Sequence, residues 1–322
     1  MKIGKLYNLA AVEAFVQSGA QAGFQDSHAG VVLARNLTAV DPKLFEKKYP
    51  ELALMAAGLD IDNSGGYARN IQSLRILDEG DFKVNGDYDD NKGKISLSAE
   101  DSTLKVFPYA GHSIWSDDEV KEAELQNINL PSQFLSTHNK LYQRKLDEIG
   151  LIGLPGSTGL LNSAAFSSDS AANTAANLTA VQLYQEIADL ITTQHNAVNN
   201  TPEYMANRVI MPVRVMNVAK SKLIGNEDTV VNVLEALRRN FPNVEFLASF
   251  RGDTTANGGN LATSSTVAFS NNDEAMKLRV PVPLTVGEII KPSSFEFRVD
   301  SKFRIAGLDV LEATAGFRLT GL

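Results

Sequence analysis

The sequence predicts an α+β protein with a projecting β-hairpin, one long amphipathic helix and an α/β lobe, closed by C-terminal strands. Three observations carry this. Two extended stretches, Ala68 to about Val84 and Lys94 to Trp115, flank the turn-forming run Asn85-Gly86-Asp87-Tyr88-Asp89-Asp90-Asn91-Lys92-Gly93, the pattern of a long hairpin. Phe134, Leu135, His138, Leu141, Tyr142, Leu146 and Ile149 then recur at three- and four-residue steps, which makes one buried stripe on a helix. From about Thr179, helical and β-type segments alternate, as in an α/β lobe.

Residues 1–43 read as an arm, because patches such as Ser18-Gly19-Ala20-Gln21-Ala22-Gly23 interrupt every apolar run. Asp41-Pro42 supplies a cap and a first-turn proline for a helix over Lys43 to Ala57, with Gly58 closing it. Residues 44–65 begin the body, and residues 66–114 form the extended loop. Within that loop Ile71, Leu74, Ile76, Phe82, Ile95 and Leu97 are interleaved with charge. An isolated hairpin is marginal in water, so Arg75, Asp78, Glu79, Phe82, Lys83, Lys94 and Leu97 are expected to meet a surface on another molecule.

After Ser116, the acids Asp117, Asp118, Glu119, Glu122 and Glu124 suit the positive end of a helix dipole. Pro131 restarts the helix, and Gly150 is the expected C-cap. Leu135, Tyr142, Leu146 and Ile149 are expected to face the C-terminal strands. Residues 115–172 hold this helix and its surroundings, and the Ala-, Ser- and Asn-rich run at 160–177 reads as a linker. Residues 173–285 make the second lobe: helix Thr179 to Val198, strand Arg208 to Val215, helices near Val218 to Ile224 and Thr229 to Arg239, and strand Val244 to Phe250. A loop from Asp253 to Ser265 precedes strands at Thr266 to Ser270 and Met276 to Val282. Residues 286–322 are extended, broken by Gly307 and Gly316.

Composition narrows the function. At 322 residues, two lobes are expected. The absence of cysteine excludes disulfides, thiolate nucleophiles and zinc–thiolate sites. No run reaches the roughly 18 apolar residues of a membrane helix, so no membrane partner is expected. His28, His112, His138 and His195 have no metal-ligand spacing. Asp60-Ile61-Asp62-Asn63-Ser64-Gly65 imitates the start of a calcium loop, but Ile71 stands where the bidentate Glu is required. The run at Asp87 fails likewise at Ser98. Residues 153–159 lack the Lys-Ser/Thr of a phosphate loop, and Ser157 lacks the context of a hydrolase elbow. Arg251-Gly252-Asp253 reads as a turn. No catalytic residue, metal or cofactor is assigned.

Gly156-Ser157-Thr158-Gly159-Leu160-Leu161-Asn162 after the long helix, and Phe303-Arg304-Ile305-Ala306-Gly307-Leu308-Asp309-Val310 near the end, resemble a capsid subfamily of phage and prophage origin. The element order is similar to the major capsid protein of tailed bacteriophages, the Hong Kong phage type of fold shared with encapsulins. That resemblance implies an N-terminal arm, an extended loop, a spine helix, a peripheral domain with its β-sheet and an α/β axial domain at residues 173–285. It also implies a non-enzymatic shell subunit that forms hexamers and pentamers of itself around double-stranded DNA without sequence-specific binding. The shell would assemble in the host bacterial cytoplasm with portal and decoration proteins as further partners. The chain starts at Met1 without the long scaffolding segment of some members, so a separate scaffold protein is expected. The Hong Kong type Lys–Asn crosslink is not assigned to Lys83, Lys92, Lys94 or Lys105. An encapsulin-like compartment is the alternative, and an α/β enzyme the remote one.

The net charge of −8, with Lys2, Lys5, Arg35 and Lys43 nearly balanced by Glu13, Asp26 and Asp41 in the arm, predicts that DNA is confined rather than gripped. A fluorescence anisotropy titration of the free subunit with duplex DNA should show no binding tighter than the ~10⁻⁴ to 10⁻⁶ M typical of nonspecific binders at physiological salt. Submicromolar, salt-sensitive binding would contradict it.

Overall fold

A computed structural model of the chain describes residues 52–83, 93–125, 128–225 and 230–322. The expected arm at 1–43, the start of the helix expected from Lys43 and the hairpin tip at 84–92 lie outside them. Helix α1 (Ala53–Ala57) ends at Gly58, whose left-handed φ of 66° returns its N–H to Met55. There follow β1 (Ile61–Asp62), β2 (Asn70–Gly80), β3 (Ile95–Lys105) and β4 (Phe107–Ser116), then helices α2 (Asp117–Leu125) and α3 (Leu130–Ile152). Next come β5 (Ser167–Ser170), α4 (Ala180–Ala197), β6 (Arg208–Pro212), α5 (Val213–Ser221), β7 (Leu223–Ile224), β8 (Val231–Asn232), α6 (Val233–Asn240) and β9 (Glu245–Ser249). The chain closes with β10 (Ser265–Phe269), β11 (Met276–Arg279), β12 (Val282–Val286), β13 (Ile290–Ser293), β14 (Glu296–Ile305), β15 (Gly307–Val310) and β16 (Gly316–Thr320).

The second extended stretch of the arm divides at Val106. Residues before it pair with β2, while those after it pair with β14 over the whole of β4. Val106 itself is buried, and its N–H donates to the Arg69 carbonyl at 2.9 Å, so the two hairpin strands leave the body side by side.

Asn129 caps α3 by accepting from the Ser132 N–H, with Pro131 in the first turn. The helix runs past the expected cap at Gly150 and stops at Gly153, whose φ of 101° suits glycine. Gly150 is the point where α1 crosses α3: a Cβ there would lie 2.4 Å from Leu54. The stripe of α3 also differs from the expectation. Phe134 stacks on Trp115 at 4.9 Å and Tyr142 meets Phe303 edge-on at 5.0 Å. Leu146 and Ile149 are buried, whereas Leu135 is 41% exposed. Positions 134, 138, 142 and 146 repeat at four residues and share a face, and Leu135 stands one step, about 100°, around the helix.

The run expected to be a linker is folded. Leu160 and Leu161 are fully buried, and β5 adds to the edge of a sheet by pairing in parallel with β16. Its Ser-rich strand is exposed along its length, so no alternation marks it in the sequence.

The largest sheet has the order β5-β16-β10-β6-β9. Strand pairing crosses the expected boundary at 285/286: β16 joins this sheet, while β11 pairs with β1 and β15 in a three-stranded sheet. A four-stranded sheet gathers β4, β12 and β13 around β14. The inner strands β10 and β6 of the five-stranded sheet are buried on both faces. Ile210, Val267 and Phe269 enter a core with α1, the end of α3, β11 and β15. Val209, Met211, Ala268 and Leu319 enter a second core under α4, α5 and α6. The alternation of strand side chains therefore joins two cores through one wall.

A buried ion pair ties the helix to the segment after β9. Arg251 Nε donates to Asp147 Oδ2 at 2.8 Å, and Asp147 Oδ1 accepts the Leu54 N–H at 3.0 Å. Both partners are almost fully enclosed, so removing either would leave an uncompensated charge.

Leu146→Asp would place a second, unpaired carboxylate beside this core at a cost of several kcal/mol. Thermal denaturation should show loss of the fold itself, and an unchanged melting temperature would refute the placement of this stripe.

Candidate assembly surface

The hairpin β2–β3 pairs without a slip from Asn70↔Lys105 to Gly80↔Ile95. Directly opposed residues share a face, so Leu74, Ile76, Ile95, Leu97 and Ala99 lie on one side, apolar toward its outer end, while Gln72 donates to Asp101 at 2.8 Å on the same side nearer the root. The large apolar members are 59–72% exposed. The opposite side carries Ser73 across from Ser102 and Glu79 across from Ser96, with Arg75 between them on the same strand.

That polar side is held to the body at its root. Ser73 Oγ donates to Asp309 Oδ2 at 2.5 Å, and Arg279 donates to Asp309 at 3.0 Å and to Ser73 Oγ at 3.0 Å. Arg279 also pairs with Asp62. Arg75 pairs with Glu312 and donates to the Leu311 carbonyl at 3.3 Å. Arg75, expected to meet another molecule, is thus engaged within its own chain, because its strand alternation turns it toward the β15–β16 connection. Burial opposes ionisation of Asp62, but the Ser64 N–H and hydroxyl and the Arg279 guanidinium outweigh it and hold its pKa below the ordinary 3.8.

The other expected contact residues lie farther out. Glu79 accepts from the Ser98 hydroxyl at 3.1 Å, Phe82 is 85% exposed, and Lys83 and Lys94 are exposed. Asp78 stands opposite Leu97 by register, and its side chain lies outside the described residues. The Asp309 and Arg279 contacts were not assigned from sequence. The cue was available in the C-terminal motif at 303–310, where a lone Asp sits in an apolar run.

The remaining motifs resolve into structure. Arg251 of the Arg-Gly-Asp triplet is buried against Asp147, and Asp253 lies 3.5 Å from Arg214. His138 bridges the Ser113 and Ser301 hydroxyls at 2.8 and 2.7 Å, joining α3 to β4 and β14. The cleft beside it, about 450 Å³, includes Tyr142, whose hydroxyl pKa burial pushes up. Among the described residues no three metal-ligating side chains converge, and no helix is long and apolar enough to cross a membrane.

Comparison with known proteins agrees with this architecture. A family model described as major capsid protein matches residues 83–322. The capsid of Myoviridae phage XM1 superposes with a TM-score of 0.78 at 42% identity, covering 90% of this chain and 98% of that one. The capsid of a native GTA particle matches at 13% identity, covering 90% and 97%, with a TM-score of 0.66. A structure from Mycobacterium phage Ogopogo matches at 13% identity over 89% and 97%, with a TM-score of 0.59. No curated protein matches the sequence. The chain belongs to the major capsid protein family, and its fold is that of phage major capsid proteins.

The Asp62 carboxylate supports the hairpin root only while it is ionised. Because its folded pKa is depressed, Asp62→Asn should lower stability at pH 7 by about 1.5–3 kcal/mol, the range for charged hydrogen bonds. The gap should shrink as the pH falls below 3.8 and vanish beneath the folded pKa. Chemical denaturation of both proteins across pH tests this; a gap independent of pH would contradict it.

Proposed function

We propose that this major capsid protein assembles with copies of itself, as hexamers and pentamers, into the icosahedral head shell of a tailed bacteriophage or prophage that encloses double-stranded DNA. The carrying observation is the 42% identity to a phage capsid over nearly all of both chains. The hairpin supports it physically: an apolar side left uncovered by the described residues of its own chain gains free energy by burial against a neighbour, about 25 cal/mol per Å². The same identity favours a phage head over an encapsulin-like compartment.

The function is geometric. The body joined by the five-stranded sheet forms the rigid part of the subunit, and the outer parts of the hairpin, from Asp78 and Glu79 to Phe82, Lys83, Lys94 and Leu97, reach the next subunit. Leu135, left exposed on the spine helix, is a further contact position. Many weak contacts sum to a closed shell. No reaction is assigned. Host cytoplasm is the site of assembly, and scaffold, portal and decoration proteins are the further partners that family membership suggests. In this scheme residues 1–43 are the N-terminal arm, residues 44–65 start the peripheral domain and residues 173–285 carry the axial domain.

Deletion of residues 78–102 tests the reading. The shortened protein should remain folded and soluble but form no closed shells in electron micrographs. Complete particles would show that the hairpin is not needed for assembly.

A further inference from the structure

Two charged features at opposite ends of one strand fit each other but cannot meet within a chain. The first is helix α2, which carries five acids and one lysine over nine residues and buries none of its side chains. A helix this short is marginal without packing. Asp117 is satisfied by Lys121 at 2.6 Å and Glu119 by the Ser116 N–H at 2.9 Å, whereas Glu122 has no salt-bridge partner among the described residues.

The second feature is cationic. Tyr67, exposed at the entry to the hairpin, has Lys302 Nζ 5.9 Å and Arg304 Cζ 5.6 Å from its ring centre. Arg69 follows two residues later, and Lys105 lies 5.4 Å from the Phe107 ring at the same end of β4. Among the described residues none of these four cations has a carboxylate partner. In a chain of net charge −8, such a group of unneutralised cations around an exposed aromatic ring marks a binding surface.

Register separates the two. Arg304 lies opposite Pro108, at the start of β4, and α2 begins one residue after Ser116, at its end. Eight residues of strand span ~27 Å at 3.4 Å per residue. We propose that α2 of one copy docks on the Tyr67–Lys302–Arg304 patch of the next, a head-to-tail contact between subunits. A contact of this kind closes into rings or extends, according to its rotation. The inference rests on the shell-subunit reading and names one of the surfaces that reading requires.

Charge reversal tests it in particles made by the full chain. Arg304→Glu and Glu122→Arg should each lower the yield of closed shells about tenfold or more, as expected for like charges brought together. Combined in one chain they should restore most of it. Circular dichroism and melting of the unassembled subunits check that each variant folds. If a variant does not fold, the milder Arg304→Gln, with and without Glu122→Gln, takes its place: each single change should reduce yield, with a sub-additive double. Single reversals that assemble normally, or a double no better than the worse single, would overturn the contact. So would loss of DNA retention with assembly intact, which would assign the patch to phosphate instead. Failure of the unaltered chain to form particles would overturn the shell reading itself.

Discussion

The described fold depends on a five-stranded sheet whose inner strands are buried on both faces. Because strand side chains alternate, Val267 and Phe269 fill one core while Ala268, between them, fills the other. Neither core can move without disturbing the other. The pair Arg251–Asp147 adds a polar tie between the spine helix and the loop after β9, and Gln194, wholly buried, meets the Ala206 N–H and the Tyr204 and Thr314 carbonyls. Such a satisfied polar group fixes one arrangement, since any shift would strand donors away from water.

From that rigid body the hairpin projects with its two sides in different situations. The polar side is fixed at its root by Ser73 and Arg75 to Asp309 and Glu312. The apolar side faces water. A chain designed to stay monomeric would reverse this orientation, because a contiguous exposed apolar patch marks an interaction surface. Rooting the hairpin through ions and hydroxyls also keeps its apolar residues out of the local core, so they stay available to a partner. The fold thus converts an unfavourable exposure in the single chain into a driving force for association.

Much of this was legible in the sequence, and the failures have physical reasons. The hairpin, the spine helix and the alternation of the second lobe showed because their periods and turn residues are strong. The C-terminal end of the spine helix is not legible because Gly150 serves a close helix crossing and not a cap, and a single sequence does not distinguish the two. Leu135 reads as part of the buried stripe because three-residue and four-residue steps overlap there. β5 was hidden because an edge strand exposed on both sides needs no apolar residues. The root contacts Ser73–Asp309, Asp62–Arg279 and Ser73–Arg279 join residues more than two hundred positions apart, so a lone Asp309 in an apolar run marks a buried charge but does not name its partner. The split of strands between sheets escaped for the same reason, since pairing is a tertiary property.

The central claim is that the apolar side of the hairpin is covered by another copy of this chain. Electron cryomicroscopy of the purified, unaltered protein tests it most directly. The account predicts closed shells in which Leu74, Ile76, Ile95 and Leu97 lie against a neighbouring subunit. A population of monomers, or shells in which those four side chains face solvent, would contradict it.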